Sequence, residues 1–261
     1  MTNFDLPFLP ERDVKPREKG ITMMMDKGLS LSQARNFAEV ASPFTDLVKL
    51  GFGTAIITPN LEEKIKLYKS MGLRPYFGGT LFEAFEVRGM FDEYRKLLDR
   101  YDLDLVEVSD GTIDISTEQK CHYISKLAED HTVLSEVGSK DSNKLIAPYR
   151  WIEMMEQELQ AGSWKVIAEA REGGNVGIFQ KSGEVRSDLI EEILTKIDRN
   201  SILWEAPQKA QQVWFLKLIG SDVNLGNIAH DEVIPLECLR LGLRGDTFFD
   251  FIPKHLKTEQ L

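Results

Sequence analysis

Four glutamates occupy equivalent places in four successive apolar runs of this 261-residue chain: Glu107, Glu136, Glu169 and Glu205. Charged side chains are almost never buried without a partner. Carboxylates repeated in this way indicate either an internal lattice of ion pairs or a site that holds cations. Both interpretations stay open from the residues alone, and the second is favoured if the four groups lie at one end of the fold.

Four cations recur near the same runs. Lys27 follows the first apolar run, Lys49 lies in the second, and Lys140 and Arg171 end the fifth and sixth. Any one of them alone is typical of a solvated loop, but four converging on one place would bind an anion. An arginine fork suits an oxyanion geometrically. The mixture of signs is what a site needs if it holds an anion and a metal ion together.

The elements that must position these residues are short apolar runs that alternate with amphipathic helical stretches. This alternation predicts parallel strands joined by right-handed crossovers. Eight strand–helix units of similar length predict an α/β fold, a (β/α)₈ TIM barrel in a single domain. The competing doubly wound sheet usually has G-x-G-x-x-G after its first strand, and here the turn is Asp26-Lys27-Gly28. The predicted strands are 21–26, 46–53, 74–80, 103–110, 132–140, 165–172, 201–207 and 222–228.

Predictions of the domain bounds and of two helices accompany this fold. We expect one barrel domain over 1–261, with 1–19 an irregular N-terminal segment and 253–261 a frayed tail. Asn60, followed three residues later by Glu63, predicts a capping box at the start of the helix after strand 2. The stretch after strand 3 predicts one long helix.

Strand residues alternate between two faces. The apolar phase predicts which residues pack under the helices: Val106, Val108, Val133, Val137, Val166, Ala168, Ile202, Trp204, Val223 and Leu225. The opposite phase is expected to point into the barrel and is polar near the strand ends: Asp26, Lys49, Glu107, Ser109, Glu136, Lys140, Glu169, Arg171, Glu205 and Asn224. Barrel active sites lie at the carboxyl ends of the strands. The sequence therefore predicts an active site there.

Composition excludes several classes of function. A formal net charge of −10 disfavours nucleic acid, whose binding depends on neutralising phosphates. No run approaches the ~18 apolar residues of a membrane span. The chain has 2 cysteines, Cys121 and Cys238, in no CxxC pattern, which predicts a reducing, cytoplasmic compartment. No HExxH or Ser-His-Asp arrangement is present, so hydrolases of those types are not expected.

Seven segments, in order, resemble the phosphosulfolactate synthase family. They are KPREKGITMMMDKGL (15–29), VEVSDG (106–111), LSEVGSK (134–140), AEAREGG (168–174), LWEAPQKAQQ (203–212), NLGNI (224–228) and LECLRLGLRGDTF (236–248). The ordered combination is specific, although no single segment is. One departure is EVGSK, where the common family form is EVGKK.

The resemblance implies a barrel enzyme, a carbon–sulfur lyase or synthase, that adds sulfite to phosphoenolpyruvate with Mg²⁺ and forms (2R)-phospho-3-sulfolactate. In methanogens this reaction leads toward coenzyme M, similar bacterial proteins are tied to sulfolactate in sporulation, and plant heat-stress proteins share the pattern. Two alternatives stay open: another Mg²⁺-dependent barrel enzyme acting on a phosphorylated carboxylic acid, and a non-catalytic stress-associated homologue. Phosphoenolpyruvate and sulfite are the expected partners, and a homo-oligomer stays open.

The reaction needs carboxylates, lysines and an arginine in one mouth, and the inward residues divide among three roles. The predicted metal ligands are Asp26, Glu107, Asp110 and Glu169. The predicted catalytic residues are Lys27, Glu136, Lys140 and Arg171. The predicted substrate contacts are Lys49, Gly79, Ser109, Asn224, Gly226, Asn227 and Arg244, with the phosphate beside the last three and Gly245.

Overall fold

Eight parallel strands form the centre of the protein and confirm the predicted order of elements. The computed structural model describes residues 3–138, 146–170 and 173–257. Within those ranges, no helix combines the length and the apolar character needed to cross a membrane. The strands are β1 (Thr22–Asp26), β2 (Leu47–Leu50), β3 (Arg74–Phe77), β4 (Leu105–Val108), β5 (Thr132–Val137), β6 (Ser163–Ala168), β7 (Ile202–Glu205) and β8 (Leu225–Ile228).

Helices follow every strand and surround the sheet. They are α1 (Leu31–Ala41), α2 (Thr54–Ile57), α3 (Leu61–Ser70), α4 (Gly79–Glu86), α5 (Phe91–Arg100), α6 (Thr117–Ala128), α7 (Pro148–Gln160), α8 (Ser187–Leu194), α9 (Lys209–Ile219) and α10 (Val233–Arg240). The single helix predicted after β3 is wrong, because the chain turns at Gly89, whose φ of 65° is left-handed, and forms α4 and α5. A turn of this kind favours glycine, which has no Cβ to clash.

The predicted capping box of α3 is also wrong. Asn60 does precede the helix, but its backbone is left-handed and its side chain makes no capping bond. The box occurs instead at α1, where Ser30 accepts from the Gln33 backbone and the Gln33 side chain accepts from the Ser30 backbone. Residue types were therefore sufficient to mark where a helix begins, but not how its first turn is satisfied.

The sheet order is β3-β2-β1-β8-β7-β6-β5-β4, and the two outer strands β3 and β4 contact each other, so the barrel is nearly closed. Two apolar layers result. The interior layer contains Ile21, Met23, Leu47, Tyr76, Leu105, Leu134, Ile167 and Leu203. The ten residues predicted to face the helices all lie in the outer layer. The alternation in the sequence therefore sorted the regular strand positions correctly.

Buried polar side chains close the amino-terminal end of the barrel. Asn224 immediately precedes β8; its amide donates to the carbonyls of Asn200 (3.1 Å) and Ile202 (3.0 Å), and its oxygen accepts from the Ile21 backbone at 3.0 Å. The Arg240 guanidinium donates to the carbonyls of Val223 and Ile21 beside it. The prediction that Asn224 contacts substrate is therefore wrong: its phase is inward, but it lies at the end opposite the strand carboxyl termini.

This placement predicts that Asn224→Ala destabilises the fold without changing the mouth. The substitution leaves buried backbone groups unsatisfied, so we expect the free energy of unfolding in urea to fall by about 2–3 kcal/mol. Asn36→Ala, on the exposed face of α1, is the control and should change it by less than about 0.5 kcal/mol. A loss of affinity for an anionic substrate at unchanged stability would restore the original prediction for Asn224.

Candidate active site

Lys49 lies at the centre of the charged interior. Its ammonium is 3.0 Å from Glu107, 3.5 Å from Glu136 and 3.4 Å from Glu205. These glutamates come from β4, β5 and β7, so one lysine of β2 reaches across the barrel to three other strands. Lys49 was predicted to contact substrate, whereas the contacts in the structure are with carboxylates.

The electrostatics of this cluster follow from burial. Burial lowers the pKa of Lys49, but its three glutamates, led by Glu107, outweigh this effect and raise that pKa well above its usual range. Burial is also the main reason why the pKa of Glu205 rises to about 7, with Lys49 opposing it and Glu136 adding to it. Burial raises the pKa of Glu107 as well. Among the described residues, one ammonium thus faces three buried carboxylates, an environment that stabilises a cation.

A buried acidic triad offers a position for a cation. Glu136, Glu169 and Glu205 each offer one carboxylate oxygen, and these oxygens lie within 4.8 Å of one another. The three residues belong to the carboxyl ends of β5, β6 and β7, which is where barrel enzymes place their sites. Carboxylate oxygens are the ligands preferred by hard divalent cations. The arrangement is therefore suited to a metal ion.

Glu107 is held in place by the start of helix α4, which follows β3. The Gly79 backbone, at the start of α4, donates to the Glu107 carboxylate at 2.6 Å. A Cβ on Gly79 would clash with Ser109 and approach the same carboxylate, so the glycine permits close packing between β3 and β4. Gly79 was predicted to bind substrate through its amide, but that amide is used within the protein.

Ser109 is occupied in a similar way. Its hydroxyl donates to Glu83, a buried residue of α4, and the same carboxylate accepts from the Thr112 backbone at 3.0 Å. The serine, predicted to contact substrate, therefore fixes the segment that follows β4.

Asp26 does not point into the barrel, so the prediction of its inward phase is wrong. Its carboxylate is 2.8 Å from the Lys64 ammonium and accepts from the Tyr68 hydroxyl at 2.9 Å, and both partners are on α3 outside the sheet. Backbone groups of Gly28 and Leu29 also donate to it. The apolar run before it, TMMM, gives no contrast between faces, which is why the alternation assigned Asp26 incorrectly.

Asp110 also turns toward a helix. It is 2.8 Å from Lys120 of α6, whose ammonium is 2.8 Å from Glu158 of α7 and donates to the Glu136 carbonyl at 2.5 Å. Lys120 is buried, and the two carboxylates raise its pKa despite the lowering effect of burial. Asp110 and Asp26, both predicted metal ligands, are thus bound to lysines of the outer layer.

The β8 residues play different parts. Gly226 pairs with Glu205 in the sheet, and a Cβ there would press on Met23 and Leu203 in the interior layer, so packing accounts for this glycine. Asn227 is buried with a left-handed φ of 57°, and its side-chain oxygen accepts no hydrogen bond from the described residues. Arg244 lies in the turn after α10, where its carbonyl accepts from Thr247.

Of three further predicted catalytic residues, only Lys27 lies within the described residues. Lys140 and Arg171 lie outside the described residues, as does Ser139 of the EVGSK segment. Lys27 is exposed directly after the carboxyl end of β1. Their roles stay predictions.

Two important residues were missed from the predicted site. Glu205 was recognised as inward-facing but was given no role, although its phase matches that of Glu136 and Glu169. Lys120 was not considered, and its signal was a lysine in line with the buried Ile124 and Leu127 on one face of α6. A charged residue on a core-facing helix position requires a buried partner.

Comparison with known proteins identifies the family of this chain. The family model of (2R)-phospho-3-sulfolactate synthase matches residues 10–246. The phosphosulfolactate synthase of Methanothermobacter thermautotrophicus is 41% identical over 253 residues, covering 95% of this chain and 98% of the relative. That of Bacillus subtilis is 40% identical over 252 residues, covering 95% and 100%.

A solved structure shows the same fold at much lower sequence similarity. The 3-hexulose-6-phosphate synthase of Salmonella typhimurium superposes with a TM-score of 0.53 at 18% identity, covering 86% of this chain and 100% of that one. This likeness concerns the barrel alone. The family match and the two close relatives carry the assignment, and this chain belongs to the (2R)-phospho-3-sulfolactate synthase family of enzymes.

Proposed function

We propose that this enzyme adds sulfite to C3 of phosphoenolpyruvate and forms (2R)-phospho-3-sulfolactate with Mg²⁺. The observation that carries the proposal is the buried triad Glu136, Glu169 and Glu205 at the strand carboxyl ends, in a chain of this family. The two free thiols, Cys121 and Cys238, support a reducing, cytoplasmic setting. The residues alone would also suit an aldolase or an enolase-like enzyme, so the family match selects sulfite addition.

The proposed reaction concentrates negative charge. The sulfur lone pair of sulfite forms a bond to C3, the C2–C3 π electrons move toward C2 and the carboxylate, and C2 then takes a proton. Two anions must therefore meet while a further negative charge develops on the carboxylate. Cations already held opposite this charge lower the activation barrier of the reaction, because they need not reorganise while it proceeds.

The donor set of the triad fits Mg²⁺, a hard cation that binds carboxylate oxygens and keeps water or substrate oxygens as further ligands. Glu136, Glu169 and Glu205 would hold the metal ion, and the ammonium of Lys49 would keep Glu136 and Glu205 in place. A bound Mg²⁺ would act as a Lewis acid toward the substrate carboxylate. Asp26 and Asp110 are not included because both carboxylates are paired with buried lysines.

The remaining charges of the mouth are proposed to handle the anions. Lys27, Lys140 and Arg171 follow β1, β5 and β6 in the sequence, and Glu136 and Glu169 of the triad lie at the ends of β5 and β6. A guanidinium can bind phosphate or sulfite through two parallel hydrogen bonds, which suits Arg171. Lys140 is the proposed proton donor to C2, and delivery from one face would set the R configuration. The phosphate is proposed to lie near Asn227, Arg244 and Gly245, at the corner of the mouth where barrel enzymes commonly bind phosphate through backbone amides.

The reaction itself is tested with the purified chain, phosphoenolpyruvate, sulfite and Mg²⁺. We expect phosphoenolpyruvate to be consumed only when sulfite is present, with phosphosulfolactate as the product identified by NMR. Consumption without sulfite would instead establish the phosphoenolpyruvate lyase alternative. No consumption under either condition would favour the non-catalytic homologue.

The metal site is tested by Glu205→Gln, which keeps the side-chain shape and removes one carboxylate. We expect the dissociation constant for Mg²⁺, measured by calorimetry without substrate, to rise about tenfold or more, because even groups that only orient a ligand are worth this much. Glu191→Gln, on the exposed surface of α8, is the control and should bind Mg²⁺ like the wild type. Equal affinity in the two variants would place the metal away from the triad.

The role of Lys140 is tested by Lys140→Met. If the ammonium acts only in the transition state, kcat and kcat/KM should fall together by about 100-fold or more. If it only binds sulfite, the sulfite KM should rise while kcat stays constant. Near-normal values of both constants would remove Lys140 from the mechanism and leave Lys27 and Arg171 as the candidates.

A further inference from the structure

The segment that follows β6 is a folded element, which we call the hairpin loop (residues 173–186). Its backbone forms its own hydrogen bonds: Gln180 donates to Glu184 at 2.8 Å, and Arg186 donates to Ile178 at 3.0 Å. Phe179 pairs with Val185 in an antiparallel bridge. Ile178 and Phe179 are buried in the outer apolar layer. The hairpin loop therefore has a defined position at the carboxyl end of the barrel.

The hairpin loop packs directly on the backbone of Glu169, a member of the acidic triad. Ile178 donates to the Glu169 carbonyl at 3.1 Å. Gly177 has a left-handed φ of 63°, and a Cβ at this position would clash with the same carbonyl. On its other side, the Glu169 backbone donates to Val137 of β5 at 3.0 Å. Displacement of the hairpin loop would therefore remove the hydrogen bond to the Glu169 carbonyl.

Gln211 of α9 fastens the hairpin loop at both ends. Its side-chain amide, 1% exposed, donates to the Gly174 carbonyl at 2.8 Å and to the Gly183 carbonyl at 3.2 Å. Its oxygen accepts from the Gln208 backbone at 3.2 Å, and the Gln208 side chain donates to Gly173 at 2.7 Å. A buried amide that satisfies two carbonyls holds them strongly, because leaving them unsatisfied would cost free energy.

The next residue provides a natural comparison. Gln212 is also fully buried on α9. Its amide, however, donates at 3.2 Å to the carbonyl of Ala206, in the segment that leads into α9. The two glutamines have the same chemistry, the same helix and similar burial. They differ in whether they reach the hairpin loop.

We propose that Gln211 is a positioning residue that holds the hairpin loop on the backbone of Glu169 and thereby orients this carboxylate for the metal ion. The inference rests on the proposed function, since it assigns Glu169 to the Mg²⁺ site. It also gives a role to Gln208 and Gln211, and to Gly173 and Gly174, none of which has a place among the proposed catalytic and metal-binding residues.

The test compares Gln211→Met with Gln212→Met in the full chain. We expect amide hydrogen exchange in 173–186 to accelerate in Gln211→Met, because local opening is no longer opposed by the two hydrogen bonds. The dissociation constant for Mg²⁺, measured by calorimetry, should rise by about 10- to 100-fold, the range found when groups that orient a metal ligand are lost. Gln212→Met should match the wild type in both measurements at a comparable melting temperature.

Gln211→Glu is the second variant, in case the methionine variant folds poorly. Glutamate has the same shape and can still accept from Gln208, but when ionised it cannot donate to Gly174 or Gly183. It should reproduce both effects of Gln211→Met. Equal effects of the Gln211 and Gln212 variants would reduce Gln211 to a general structural residue and overturn the inference.

Two further outcomes separate this inference from the proposed function. Faster exchange in 173–186 with unchanged Mg²⁺ affinity would overturn the link between the hairpin loop and Glu169, while leaving the metal site intact. A wild-type chain that does not bind Mg²⁺ would overturn the proposed metal site, and this inference with it.

Discussion

The confinement of several carboxylates and one lysine inside the barrel is the constraint on which the structure depends. Buried charges are costly unless they are paired, and here Lys49 is shared among Glu107, Glu136 and Glu205. The cluster forms because parallel strands all end at the same edge of the barrel. Burial keeps the pKa of Glu205 high, and the carboxylate oxygens of Glu136, Glu169 and Glu205, within 4.8 Å of one another, make the mouth suited to a cation.

A second set of charges holds the strand ends from outside. Lys64 of α3 reaches Asp26 at the end of β1, and Lys120 of α6 reaches Asp110 and the Glu136 carbonyl. In both cases a helix inserts one buried ammonium at the carboxyl end of a strand. Pairs of this kind fix backbone position, because removing one partner would leave an uncompensated charge in the protein interior. The inner cluster and these outer pairs therefore have different tasks, although the same residue types form both.

The same physical argument connects the fold to the proposed chemistry. Sulfite addition brings anions together, and such a reaction is favoured where cations are already held in place rather than recruited from solvent. Rigid strands carry the triad, while the segments after β5 and β6 carry Lys140 and Arg171. The hairpin loop connects the strands with the segments that follow them, since it follows β6 and packs on the backbone of Glu169. In the proposed reaction, binding of the anions thus falls to residues that follow the strands in the sequence.

Local patterns in the sequence determined the eight strand–helix units, the single barrel and the phase of the glutamates, because alternation of apolar and polar residues is a property of each strand by itself. The ordered motifs also determined the family. Local patterns failed at strand ends. Asp26 follows a run that is apolar on both faces, and Asn224 has an inward phase but immediately precedes its strand, at the amino-terminal end of the barrel. For such residues, periodicity cannot state which end of the barrel they occupy or which partner they meet.

Only the tertiary structure decided how the charged residues divide into an inner triad and outer pairs. The partners of Asp26, Asp110 and Glu169 come from elements other than their own strands: Lys64 of α3, Lys120 of α6 and the hairpin loop. Their association depends on how α3, α6 and α9 pack against the sheet. The role of a carboxylate depends on the group that faces it, and the alternation within its own strand does not show which group that is.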